Sequence, residues 1–214
     1  MAGRPRALSL VDALVHELRE SILDGRLPGG TSLPESEVAG RYEVARPTAR
    51  AAIERLVSQG LLTRGTHKTA RVPVFDAADV ADLYLTRAVL ESQVMRELAR
   101  RRRVPPDALA AQEEIRAAGT DWTTAIVEPD VRFHRALVDA LGSPRLSRAH
   151  GALMAEMRLC MAQVQAFRLL RAAEIADEHD AILAAVAAGD PDRAEAALDH
   201  HLDRARHELV GHLS

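Results

Sequence analysis

The chain has 214 residues, 47% of them apolar and 28% charged, enough to bury a core while keeping a solvated surface. Aromatic residues are only 3%, which disfavours a β-sandwich, and the abundance of Ala and Leu favours helices. A single cysteine, Cys160, excludes an intramolecular disulfide framework and a multi-cysteine zinc site. Without a long apolar run or an apolar leader, neither a membrane span nor secretion is expected, and a cytoplasmic location is. The net charge of −3 divides unevenly. Residues 1–75 carry 11 Lys and Arg against 8 Asp and Glu, whereas the remainder carries 17 against 23. A basic first third on an acidic remainder points to contact with a polyanion through the first part alone.

Val11, Leu14, Val15, Leu18 and Ile22 recur at helical spacing and predict a helix over residues 8–24, with Gly25 as its stop. Turn formers fill residues 25–30. A short helix is predicted over 35–41, with Val38 and Ala39 inward. A longer one follows from Arg46 or Pro47 to about Gln59, where Pro47 suits the first turn, Gly60 the C-cap, and Ile53, Leu56 and Val57 the buried face. Residues 61–64 and 70–74 read as two short strands of a hairpin. This order is that of a winged helix-turn-helix, so residues 1–75 are expected to form one domain. From Phe75 onward every segment reads as helix. The first covers 77–102, striped by Val80, Leu83, Leu90, Val94 and Leu98, and breaks at Val104-Pro105-Pro106-Asp107. A shorter helix reaches Ala118, and the next reaches Leu141, starting or kinking at Pro129. Helices over 145–170, 171–188 and 191–212 complete an antiparallel all-α bundle over residues 76–214.

The bundle carries polar residues on apolar stripes. Asp130 and His134, four residues apart, share a face with Ile126, Leu137 and Leu141. His179 falls between Ile175 and Ile182, and His201 between Leu198 and Ala205. Three helices thus aim metal-competent side chains inward, and a cation held by one carboxylate and three imidazoles would satisfy all four. Among nine histidines some must fall on apolar faces by chance, and a lone one there is more often simply hydrogen-bonded than a ligand. His200 lies about 100° away round its helix and ranks behind His201. His150 and His212 fall outside the set, and no second carboxylate is clearly placed as a general base on the same stripes. Pro129 could rotate the carboxylate of Asp130. Arg87 shares the stripe of Leu83 and Leu90, where it can fork onto a ligand carboxylate or pair internally with Glu91. Arg158, between Met154 and Met161, is a second candidate of the same kind, and the methionines themselves read as packing.

Residues 8–74 resemble the DNA-binding domain of the GntR family of bacterial transcription regulators. The resemblance rests on residues 22–30, on Leu33-Pro34-Glu35 with Val38-Ala39, on Val44-Ala45-Arg46-Pro47-Thr48-Ala49-Arg50, and on residues 56–62. Three positions depart from the family pattern: Ser36 stands for an Arg, Glu43 for the Gly before the turn's Val, and Thr69 for a wing Gly. Residues 77–210 resemble the FCD effector domain of the FadR-like branch through residues 130–137, Glu178-His179-Asp180-Ala181-Ile182, Ala188-Gly189-Asp190 and His201-Leu202. That resemblance implies a divalent metal held by Asp130, His134, His179 and His201 at the floor of a ligand cavity. Zinc is the foremost ion for such donors, with nickel, manganese and iron also suited.

The resemblances imply a ligand-responsive repressor that binds a palindromic double-stranded DNA operator as a homodimer. Arg46, Thr48 and Arg50 on the reading helix, with His67 and Lys68 in the wing, are the expected DNA contacts. A small carboxylate effector would sit on the metal and on Arg87, with Arg158 as the further candidate. Two other functions fit the same residues: a metal-dependent hydrolase or oxygenase with a small adaptor domain, and a regulator sensing the metal itself.

Overall fold

A computed structural model describes residues 9–65, 68–119, 126–164 and 169–213. The chain divides into two compact units, Met1–Val74 and Phe75–Ser214.

In the first unit, helix α1 (Leu10–Leu23) opens with a capping box: the Ser9 hydroxyl accepts from Asp12 N–H while the Asp12 carboxylate accepts from the Ser9 backbone. Its Leu14, Val15, Leu18 and Ile22 are buried against α3 (Arg46–Ser58), whose inner face is Ala49, Ala52, Ile53 and Leu56. Short α2 (Glu35–Arg41) seals the other side of α3 with Val38 and Ala39. Gly60, at φ +75°, ends the α3 segment in a left-handed turn that returns Leu61 and Leu62 to the core.

The wing corrects the hairpin expected from sequence. The paired strands are β1 (Ser32–Leu33) and β2 (Ala70–Arg71), antiparallel with Leu33 opposite Ala70. Thr63 contributes one isolated bridge to Arg71, so residues 61–64 are an edge rather than a full strand. Leu33, Ala70 and Val72 are all buried, as are Leu61 and Leu62 beside them.

The second unit is helical throughout its described residues: α4 (Ala77–Arg100), α5 (Pro106–Ala117), α6 (Val127–Asp139), α7 (Pro144–Gln163), α8 (Ala172–Ala188) and α9 (Pro191–Leu213). Helix α4, started by a capping box of Asp76 and Asp79, packs against α6, α7, α8 and α9 and is the common wall of the bundle. Gly189 is the left-handed cap between α8 and α9, at φ +76°. The backbone is what requires glycine there, since a Cβ would meet only the flexible, exposed side chain of Arg102. The core runs from Val80 through Phe133, Leu137, Met154 and Met157 to Leu209.

Candidate metal centre and DNA-contact surface

Asp130, His134, His179 and His201 converge in the second unit, each at most 3% exposed. One ligand atom from each lies within 4.8 Å of the others. Pro129 does not disturb Asp130. It falls in the first turn of α6, where a backbone N–H has no intrahelical acceptor anyway, so the helix keeps Asp130 and His134 on one face.

The outer nitrogens decide what the inner ones can do. His134 Nδ1 donates to Glu91 Oε2 at 2.7 Å, and His201 Nδ1 donates to Glu178 Oε2 at 2.8 Å. His179 Nδ1 donates to Gln112 Oε1 at 3.2 Å. The Gln112 amide has no choice of orientation, because its Nε2 donates to Ala176 O at 2.7 Å and to Asp180 Oδ1 at 2.8 Å. With each Nδ1 serving as donor, each Nε2 carries a lone pair. Those of His134 and His201 stand 3.2 Å apart, and Asp130 Oδ1 lies 3.5 Å from His179 Nε2 and 3.9 Å from His134 Nε2. Four acceptors therefore face one another, and His179 Nε2 has no hydrogen-bond partner. Such a set repels itself in a dry core and becomes attractive around a cation, so these residues fit a divalent metal.

Protonation agrees with ligation. Burial pushes the Asp130 carboxyl upward, but contact with His179 holds it well below the carboxylate range. Burial likewise opposes ionisation of Glu91, and the Arg87 guanidinium and His134 overcome it. Glu178, desolvated but held by Arg204 and His201, sits at about 2. Burial drives His179 down to about 3, and burial with nearby Arg87 lowers His134. Anionic carboxylate and neutral imidazole are the forms that bind metal ions.

The outer shell is where sequence reading fell short. Glu91 is a second carboxylate beside the site, buried at 1% exposure, and Glu178 is another. Neither is a free base: Glu91 is held by Arg87, His134 and His150, and Glu178 by His201 and Arg204. His150, outside the set that spacing picks out, is fully buried with its Nε2 3.0 Å from Glu91 Oε1. His200 is 72% exposed in its side chain, with Nε2 3.9 Å from Glu178 Oε1, and is not one of the four converging residues.

Arg87 is 1% exposed, and the internal pair with Glu91 is present, with Nε donating to Oε1 at 2.9 Å. Its Nη2 is buried without a hydrogen-bond partner. Arg158 is partly exposed and paired with Glu128.

In the first unit, Arg46 and Arg50 lie exposed on the first turns of α3, one turn apart, with the half-buried Thr48 between them. Arg50 donates to Glu54 at 2.8 Å. Lys68 is exposed; His67 lies outside the described residues. Glu43, at the family's glycine position, has φ +51°.

Comparison with known proteins agrees with both units. Residues 10–72 match "Bacterial regulatory proteins, gntR family" and residues 82–204 match the FCD domain. A "probable D-xylose utilization operon transcriptional repressor" of Paenarthrobacter nicotinovorans is 30% identical over 185 residues, covering 85% of this chain and 80% of that protein. The HTH-type transcriptional repressor NanR of Escherichia coli K12 is 28% identical over 225 residues, covering 95% and 86%. A solved GntR regulator from Rhodococcus sp. RHA1 aligns with TM-score 0.77 at 25% identity, covering 94% of this chain and 97% of that one. These relatives are regulators, which disfavours the hydrolase or oxygenase alternative, and among the described residues no helix is long and apolar enough to cross a membrane. The chain belongs to the GntR family of bacterial regulatory proteins, with an FCD domain following its winged helix-turn-helix.

Proposed function

We propose that the protein is a ligand-responsive transcriptional repressor. In this reading a homodimer binds a palindromic DNA operator through residues 1–75, and residues 76–214 supply dimerisation and effector binding. A small organic acid, bound at a divalent metal, releases the DNA. The observation that carries the reading is the use of all three Nδ1 atoms as outward donors, which aims three lone pairs and a carboxylate oxygen at one centre. Asp130, His134, His179 and His201 would hold the ion, zinc foremost, and the ion would supply a Lewis-acidic position for a carboxylate. Arg87 supports an anionic ligand, since its pairing with Glu91 leaves a guanidinium nitrogen for a further acceptor. Repression is the sign named for both curated relatives.

An effector changes DNA affinity only by binding one arrangement of the dimer better than another. Helix α4 offers a route: it carries Arg87 and Glu91, and only Phe75 and Asp76 separate it in sequence from the first unit. The test is titration of an operator complex, selected from a random duplex pool, with acids that raise the melting temperature of the metal-loaded protein. Parent protein should release DNA. Arg87→Lys, which keeps a charge beside Glu91 but loses the fork, should bind metal and DNA and lose the response. Release of both at the same acid concentration would overturn the effector site.

A further inference from the structure

We infer that Arg64 is a contact to the DNA phosphate backbone, which closes a binding cleft with Arg46 and Lys68 and supplies from across the cleft the charge missing at Ser36. The inference rests on the DNA-binding reading and goes beyond it by naming a residue and its chemistry. A cleft of about 540 Å³ is bounded by Glu35 and Ser36 at the start of α2, by Arg46 at the start of α3, and by Arg64, Lys68 and Thr69. Three cations and two hydroxyls thus surround one open space, with Glu35 the opposing carboxylate.

Arg64 is unlike the exposed arginines of the reading helix. Its side chain is only 25% exposed, so its guanidinium is already fixed by packing before any ligand arrives. One nitrogen, Nη2, donates to Glu35 Oε1 at 3.2 Å, whereas Nε is buried without a partner. A planar guanidinium with donors to spare, beside an open cleft and two further cations, is built for a tetrahedral oxyanion. The occupant follows from position. A duplex that takes the start of α3 in its major groove runs its backbone along the rim of that groove, beside Arg46, which lines the same cleft. A phosphodiester there meets Arg46, Arg64 and Lys68 together, with the Ser36 and Thr69 hydroxyls as further donors. Glu35 opposes it, holding Arg64 in place and repelling the phosphate.

Phosphate contacts are independent of sequence, so the probe is a labelled 40-base-pair duplex of mixed sequence, titrated with the full-length chain between 50 and 200 mM salt. Arg64→Gln should weaken binding, and for each phosphate no longer neutralised the slope of log affinity against log salt should become shallower by about 0.9. Over that fourfold rise in salt, the variant should lose about 3.5-fold less affinity than the parent for each such phosphate. Glu35→Gln should act in the opposite direction and tighten binding. Opposite effects from the two members of one ion pair cannot come from loss of the pair, which would weaken binding in both. An unchanged slope in folded Arg64→Gln, or weaker or unchanged binding in Glu35→Gln, overturns the inference. Should Arg64→Gln fail to fold, Glu35→Gln decides alone. Arg50→Ala separates the two levels: if it weakens binding and Arg64→Gln does not, only the Arg64 assignment falls. If the parent fails to bind the duplex at all, the DNA reading falls with it.

Discussion

At the scale of single residues, the proposed metal centre would depend on side chains that do not touch the ion. An imidazole presents Nε2 to a metal when its other nitrogen carries the proton, and Glu91, Gln112 and Glu178 each accept from one such nitrogen and fix its ring. Glu178→Gln keeps a carbonyl acceptor for His201 and should lower metal affinity about tenfold. Gln112→Leu removes the acceptor for His179 altogether and should cost up to about a hundredfold, measured by competition with a chromogenic chelator. Equal affinity in both variants and the parent would mean that the rings are oriented by packing, such as the stacking of Phe133 on His179 at 3.7 Å between ring centroids. The four inward residues were legible in the sequence because each sits on an apolar helix stripe, where a polar side chain stands out. Their outer partners were not. Glu91 and Gln112 belong to other helices, and Glu178, on the helix of His179, serves His201 of α9. Only the tertiary packing of α4, α5, α6, α8 and α9 brings them to the rings.

At the scale of elements, most helix positions followed from caps and periodicity with shifts of a few residues at their ends, but the helix expected over 145–170 ends at Gln163, and residues 169–170 form a turn before α8. The wing did not follow: β1 is only Ser32–Leu33, too short for any alternation to register. The turn between α2 and α3 carries a local conflict. Glu43 is held at φ +51°, where an L side chain crowds its own backbone, and among the described residues no hydrogen bond of the turn uses its carboxylate. Glu43→Gly should therefore stabilise the chain by about 1 kcal/mol, less the entropy glycine loses on folding. The check is the midpoint of urea denaturation of the full-length protein, and a lower midpoint would mean that the side chain stabilises the turn. The same turn leads into α3, the helix proposed to read DNA. Arg46→Ala and Arg50→Ala should each weaken binding to a selected operator by about five- to a hundredfold without changing helix content by circular dichroism. If both variants bind like the parent, α3 is not the reading helix.

At the scale of the whole molecule, a metal bound at the four residues would decide how the second unit tolerates acid. The metal-free protein buries His179 in a site that lowers its pKa to about 3, against about 6.5 for the unfolded chain. Between those values the unfolded state binds a proton that the folded state refuses. Stability from this residue is therefore complete above about pH 6.5 and falls away as pH drops towards 3. Glu178, at about 2 against an ordinary 4.5, extends the loss to lower pH in the same direction. Denaturant midpoints of chelator-treated protein should decline from pH 7 to pH 4, and saturating zinc should raise them most near neutrality, where protons do not compete for the imidazoles.

The central claim is that Asp130, His134, His179 and His201 bind one divalent ion per chain. Its most direct test is metal analysis by mass spectrometry of the purified protein, before and after chelation and reloading with zinc, on the parent and on His134→Ala, His179→Ala and His201→Ala. The control is His212→Ala, on the last turn of α9 and exposed; His150→Ala is unsuitable because that ring is bonded to Glu91. The parent and the control should reload to one zinc per chain and gain melting temperature, whereas the three ligand variants should do neither. No uptake by the parent, or equal uptake by folded ligand variants, would contradict the account.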